Sequence, residues 1–204
     1  VSTPDPAAQA GPVPVLNIAN ILTVSRLVMV PFFVVCMFQD GLWWRLAAFS
    51  VFVIAAITDR IDGELARRRN LVTDFGKIAD PIADKALTGA ALVVLSMLGD
   101  LWWWVTVVIL VREWGITALR FAVIRYGVIP ASRGGKLKTV LQIVAISVYL
   151  FPLPDLLFFQ VVAHTVMAVA VAVTLWTGAD YVVQALRLRG RSRAGLQPGT
   201  EEDR

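Results

Sequence analysis

The chain has 204 residues, 57% hydrophobic and 17% charged, with a formal net charge of +4 and a mean hydropathy of +0.70. That balance is too apolar for an ordinary soluble domain and gives length for about six membrane spans, so one integral membrane domain is expected. The lone Cys36 excludes a disulfide scaffold and a thiolate metal cluster, and nucleic acid is not expected among the partners.

Residues 1–16 are rich in Pro and Ala and lack a positive flank followed by an apolar run, which predicts a disordered tail rather than a signal peptide. Apolar stretches follow at residues 21–38, 42–58, 86–99, 101–111, 137–151 and 156–186. Several are shorter than the ~20 residues needed to cross the hydrocarbon, so their helices must continue into the charged segments beside them. The second then runs through Asp59 and Asp62 to about Arg69, the third begins near Gly76, and the fourth extends past Arg112 and Arg120. Residues 187–204 are expected to form a basic, disordered cytoplasmic tail at the inner leaflet.

The loops near 39–45, 99–100 and 152–155 carry Asp40, Asp100 and Asp155 against a single Arg45. The opposite loops carry Arg67, Arg68, Arg69, Lys77, Arg125, Arg133, Lys136 and Lys138, which by the positive-inside rule places both termini in the cytoplasm. Trp43, Trp44 and Trp102 to Trp104 fall beside the outer loops, where interfacial aromatic anchors belong.

Four aspartates in so apolar a chain are costly unless they do work. On a helix, Asp62, Gly63 and Ala66 share a face with Asp59, pairing two carboxylates with two very small residues. Gly76, Asp80 and Asp84 recur at i, i+4 and i+8 on the next helix, which a short loop folds back against the first. Like charges brought together in a low dielectric protonate or recruit cations. An all-oxygen donor set favours Mg²⁺ or Mn²⁺, with Ca²⁺ possible; a lone His164 and a lone Cys36 argue against zinc. Caps, or ion pairs with Arg67, Arg68, Arg69, Lys77 and Lys85, would explain one or two aspartates but not four in this register.

The full spacing is Asp-x-x-Asp-Gly-x-x-Ala-Arg, eight residues, then Gly-x-x-x-Asp-x-x-x-Asp, running from Asp59 to Asp84 without a departure. In this the chain closely resembles the CDP-alcohol phosphotransferase family. The resemblance implies an all-α membrane domain over residues 17–186, with a short N-terminal amphipathic segment, six transmembrane helices, a cytoplasm-facing polar cavity and a homodimeric assembly. It implies that an alcohol hydroxyl attacks the β-phosphorus of a CDP-linked substrate and CMP leaves. It casts Asp59, Asp62, Asp80 and Asp84 as ligands of two divalent cations, Asp84 also as the base, and Gly63, Ala66, Arg67 and Gly76 as walls of the CDP site. Metal clamped on a pyrophosphate would neutralise developing charge, and small residues let the backbone approach the nucleotide.

Arg112 and Arg120 stand eight residues apart on one helical face, followed by Ser132, Lys136 and Lys138, which reads as a pocket for the acceptor's phosphate. Inner-leaflet attraction accounts for Arg125 and Arg133 but not for Arg112, directly after an apolar run. A Walker A loop is ruled out by Pro130 and Leu137. Asn20, Leu22, Thr23, Arg26 and Pro31, with the Arg-Glu, Leu-Arg, Ala-Ser and Gly-Lys-x-Lys-Thr series ending at Gln142, resemble the branch of the family that joins CDP-diacylglycerol to sn-glycerol 3-phosphate in phospholipid biosynthesis. The likeness covers residues 17–142; the last helix is uninformative. Asn20, Thr23 and Arg26 then reach the nucleotide, with helix capping by Asn20 or Thr23 as the plainer alternative. Related branches take inositol phosphate or phosphatidylglycerol as acceptor. A divalent-cation transporter would use intramembrane aspartates too, but the outer halves of these helices offer no carboxylate ladder, and Gly63, Ala66 and Arg67 would have no task; a purely structural subunit would have no catalysis for Asp80→Asn or Asp84→Asn to remove.

Overall fold

The computed structural model describes residues 18–68, 74–123, 133–152, 154 and 156–194. The expected tail 1–16, Arg69, Ser132, Asp155 and the end of the basic tail lie outside these, as do the side chains of 18–20, 60–68, 74–81, 84, 120, 121, 123, 133, 134, 136 and 188–194. The described residues form six α-helices and no strand: α1 (Ile18–Met37), α2 (Leu42–Arg68), α3 (Asp74–Met97), α4 (Trp103–Val123), α5 (Arg133–Leu150) and α6 (Leu157–Ala194).

The helices run into charged segments as the short apolar stretches require. α2 passes through Asp59 and Asp62, α3 starts two residues before Gly76, and α4 continues beyond Arg112 and Arg120. With 27 residues, α2 is about 40 Å long against about 30 Å of hydrocarbon. α6 reaches Ala194, so residues 187–194, expected to be disordered, are helical; Leu, Arg and Ala there favour helix and outweigh a single Gly190.

Two helices contain windows long and apolar enough to cross a bilayer, Leu42–Asp59 and Leu157–Arg187, and only 22% and 28% of their residues are buried. The core helix of a soluble protein would be covered; these present apolar side chains outward, as do Val28, Phe32 and Val35 on α1 and Val107 and Val111 on α4. Composition and exposure together mark a helical membrane protein.

Two compact units divide the chain. The first holds α1, α2, α3 as far as Leu95, and Leu150–Pro152. α1 packs on α2, where Phe33, Cys36 and Met37 and the stripe Ala48, Phe52 and Ala55 are buried. The Phe33 and Phe52 rings lie 6.2 Å apart. Gly41, at φ 116°, takes the left-handed turn that reverses the chain between these helices. Arg45 Nε donates to the Leu150 carbonyl at 3.2 Å, beside the edge-to-face pair Phe49 and Phe151 at 5.1 Å.

The second unit holds Ser96–Tyr149 and the chain from Leu153 onward, so α4, α5 and α6. α4 packs on α6, burying Val105, Thr106 and Ile109 on one and Met167, Ala170 and Thr174 on the other. The buried stripe of α5 changes character along its length, from Lys138 and Gln142 to Ala145 and Ile146. The Trp102 and His164 rings are 5.0 Å apart, and His164 Nδ1 is 2.6 Å from the Gln160 carbonyl, a packing role rather than a ligand role.

Candidate active site

Within the first unit, α1 and α2 run antiparallel, and the register set by Phe33 and Phe52 carries two helical turns further along each helix to Arg26 and Asp59. Their charges meet there, Nη1 to Oδ1 at 2.5 Å. The Arg26 side chain is 2% exposed and the Asp59 side chain 33%. A guanidinium so far from water needs an anion within reach, and Asp59 supplies it while keeping part of its side chain accessible. Thr23, one turn before Arg26 on the same face of α1, is buried as well. The N-terminal motif and the acidic motif thus converge.

The rest of the acidic motif lies on regular helix. Asp62, Gly63, Ala66 and Arg67 continue α2 after Asp59, and Gly76, Asp80 and Asp84 lie on α3. The backbone therefore has the periodicity that places Asp59 with Asp62, and Asp80 with Asp84, on successive turns. Their side chains other than that of Asp59, and that of Asn20, lie outside the described residues. The donor set fits hard divalent cations: four carboxylates at i, i+3 and i, i+4, with the described one partly open to solvent and oriented by Arg26.

In the second unit, Arg112 and Lys138 are brought together by a residue that sequence reasoning passed over. Glu113 Oε1 accepts from Arg112 Nη1 at 3.1 Å and from Lys138 Nζ. Arg112 also reaches α6, donating from Nε to the Thr174 carbonyl at 3.2 Å and from Nη2 to Thr177 Oγ1 at 3.0 Å. A Cβ built on Gly178 would stand 3.2 Å from Arg112 Cγ and 3.3 Å from Nε, so the absent side chain leaves room for the arginine. The other expected members of this pocket, Arg120, Ser132 and Lys136, lie outside the described side chains. Glu113 was visible only as the second half of the Arg-Glu pair, whereas nothing in the sequence ties Thr174, Thr177 or Gly178 to Arg112.

A family model described as CDP-alcohol phosphatidyltransferase matches residues 16–176. The chain belongs to this family. The match extends through most of the apolar part of α6, beyond Gln142 where the motif likeness ended. The probable phosphatidylglycerophosphate synthase of Mycobacterium tuberculosis (strain CDC 1551 / Oshkosh) is 54% identical over 187 residues, covering 90% of this chain and 88% of the relative. Proteins named CDP-diacylglycerol--glycerol-3-phosphate 3-phosphatidyltransferase are similar too. The one from Bacillus subtilis (strain 168) is 37% identical over 74% of this chain and 91% of its own. The one from Shigella flexneri serotype 5b (strain 8401) is 37% identical over 83% and 94%. Members of this phosphatidyltransferase family are enzymes and generally depend on divalent cations.

Proposed function

We propose that this CDP-alcohol phosphatidyltransferase transfers the phosphatidyl group of CDP-diacylglycerol to sn-glycerol 3-phosphate, giving phosphatidylglycerophosphate and CMP. The observation that carries the assignment is the 54% identity, across 90% of the chain, to a probable phosphatidylglycerophosphate synthase. The unbroken spacing from Asp59 to Asp84 supports the same reading.

In this reading Asp59, Asp62, Asp80 and Asp84 hold two divalent cations, Mg²⁺ or Mn²⁺. Cations held by these carboxylates would supply the positive charge that offsets the pyrophosphate and the departing CMP. Asp84 receives the proton of the acceptor hydroxyl as its oxygen bonds to the β-phosphorus, and the bond from that phosphorus to the CMP oxygen breaks. Asn20, Thr23, Arg26 and Arg67 bind the CDP moiety, while Gly63, Ala66 and Gly76 leave it space. Arg26 has a second task, keeping Asp59 in place. Arg112, Arg120, Ser132, Lys136 and Lys138 receive the acceptor's phosphate.

The six helices cross a bacterial cell membrane, with both termini and a polar cavity on the cytoplasmic side and a second copy completing a homodimer. Residues 17–186 form the catalytic membrane domain between two cytoplasmic tails. The distribution of basic residues and the outer Trp clusters support this topology.

The test is CMP release by purified protein given CDP-diacylglycerol, Mg²⁺ or Mn²⁺, and one acceptor at a time. Turnover is expected with sn-glycerol 3-phosphate. Turnover with inositol phosphate or phosphatidylglycerol, and none with sn-glycerol 3-phosphate, overturns the assignment.

A further inference from the structure

Arg112, Glu113 and Lys138 form a group of two cations and one carboxylate, with side chains 14%, 19% and 7% exposed. The group lies largely removed from water, where a donor left without an acceptor is costly. Arg112 offers five N–H donors. Three are spent on the Thr174 carbonyl, Thr177 Oγ1 and Glu113. That leaves one on each terminal nitrogen without a partner among the described residues. The arginine is held at three points and lies over Gly178, so its direction is fixed by its surroundings.

We propose that Glu113 is the positioning residue of the acceptor site. Its carboxylate holds the Arg112 guanidinium and the Lys138 ammonium side by side, and Thr174, Thr177 and Gly178 on α6 brace the arginine from behind. Arg112 then presents its two remaining N–H donors, beside the Lys138 ammonium, to a phosphomonoester. The inference rests on the assignment of Arg112 and Lys138 to the acceptor's phosphate, and it adds to that assignment a carboxylate and a contribution from the last helix. Two cations without a shared anion would repel each other and separate, so fixed geometry outweighs the partial neutralisation that Glu113 brings.

Steady-state kinetics of the full-length enzyme with sn-glycerol 3-phosphate and CDP-diacylglycerol varied in turn separates the possibilities. For Glu113→Gln, KM for sn-glycerol 3-phosphate rises about tenfold or more, while kcat and KM for CDP-diacylglycerol stay within about twofold, the pattern of lost uniform binding. Glu113→Asp recovers most of the loss. Gly178→Ala, which crowds Arg112 without altering any charge, gives the same selective rise and decides the matter if Glu113→Gln fails to fold. An unchanged or lowered KM in both Glu113→Gln and Gly178→Ala overturns the proposal. Arg112→Lys is the control for the underlying reading: if it leaves KM for sn-glycerol 3-phosphate unchanged, the acceptor-site assignment itself falls and the role of Glu113 falls with it. If Arg112→Lys raises that KM and the other two variants do not, only the role of Glu113 is lost.

Discussion

Arg26 has almost no contact with water and Asp59 a third of its side-chain surface, so the pair is asymmetric: the arginine depends on the aspartate more than the reverse. Removing one partner of a buried pair costs about 3–5 kcal/mol, and the exposure of Asp59 places Arg26→Met at the low end. Arg26→Met is expected to lower the melting temperature of the detergent-solubilised protein, and Asp59→Asn in the same chain to recover part of the loss. The coupling between the two substitutions should fall within about 0.5–3 kcal/mol, and strictly additive effects would show that the two side chains do not support each other. At this scale the sequence marked Asp59 and Arg26 separately, each through its own motif. It did not expose their contact, because helix register and not sequence distance brings them together. Glu113 was harder still. Its partners lie on two other helices, and a lone glutamate beside an arginine has many ordinary explanations.

At the scale of the element, α2 shows why charged residues can lie on a helix of a membrane protein. Its apolar window ends at Asp59, and the helix continues to Arg68, carrying the acidic and small residues past the stretch that matches hydrocarbon. This extension was legible, since the apolar stretches alone were too short to span. The extension of α6 to Ala194 was not, because an Arg-rich segment reads equally as a solvated tail or as the charged end of a long helix. Gly63 gives the element its test. In a helix a glycine costs about 1 kcal/mol relative to alanine, so its presence in α2 calls for a reason other than stability. If that reason is space for the nucleotide, Gly63→Leu leaves helix content and melting unchanged or improved and lowers CMP release about 100-fold, the penalty typical of a reactant displaced by about 1 Å. Full activity in Gly63→Leu, read by the same release assay, would remove Gly63 from the site.

Over the whole molecule, the sequence reading and the described residues agree on a helical membrane protein, and similarity across most of the chain places it among the CDP-alcohol phosphatidyltransferases. Hydropathy and the positive-inside pattern made the class readable, because the bilayer leaves few solutions to backbone hydrogen bonding. The contribution of α6 was hidden for the same reason: small and apolar residues suit lipid and helix contacts alike, so Thr177 and Gly178 do not stand out until Arg112 is seen against them. The proposal that carboxylates on α2 and α3 bind hard cations, which a CDP-linked lipid requires in order to react, rests on the unbroken spacing from Asp59 to Asp84. Its most direct test is CMP release from CDP-diacylglycerol and sn-glycerol 3-phosphate after exhaustive chelation, followed by titration of Mg²⁺ or Mn²⁺. Turnover should vanish on chelation and return with either ion in the wild-type protein, but not in Asp80→Asn; undiminished turnover in chelator, or full recovery by Asp80→Asn, would contradict the claim.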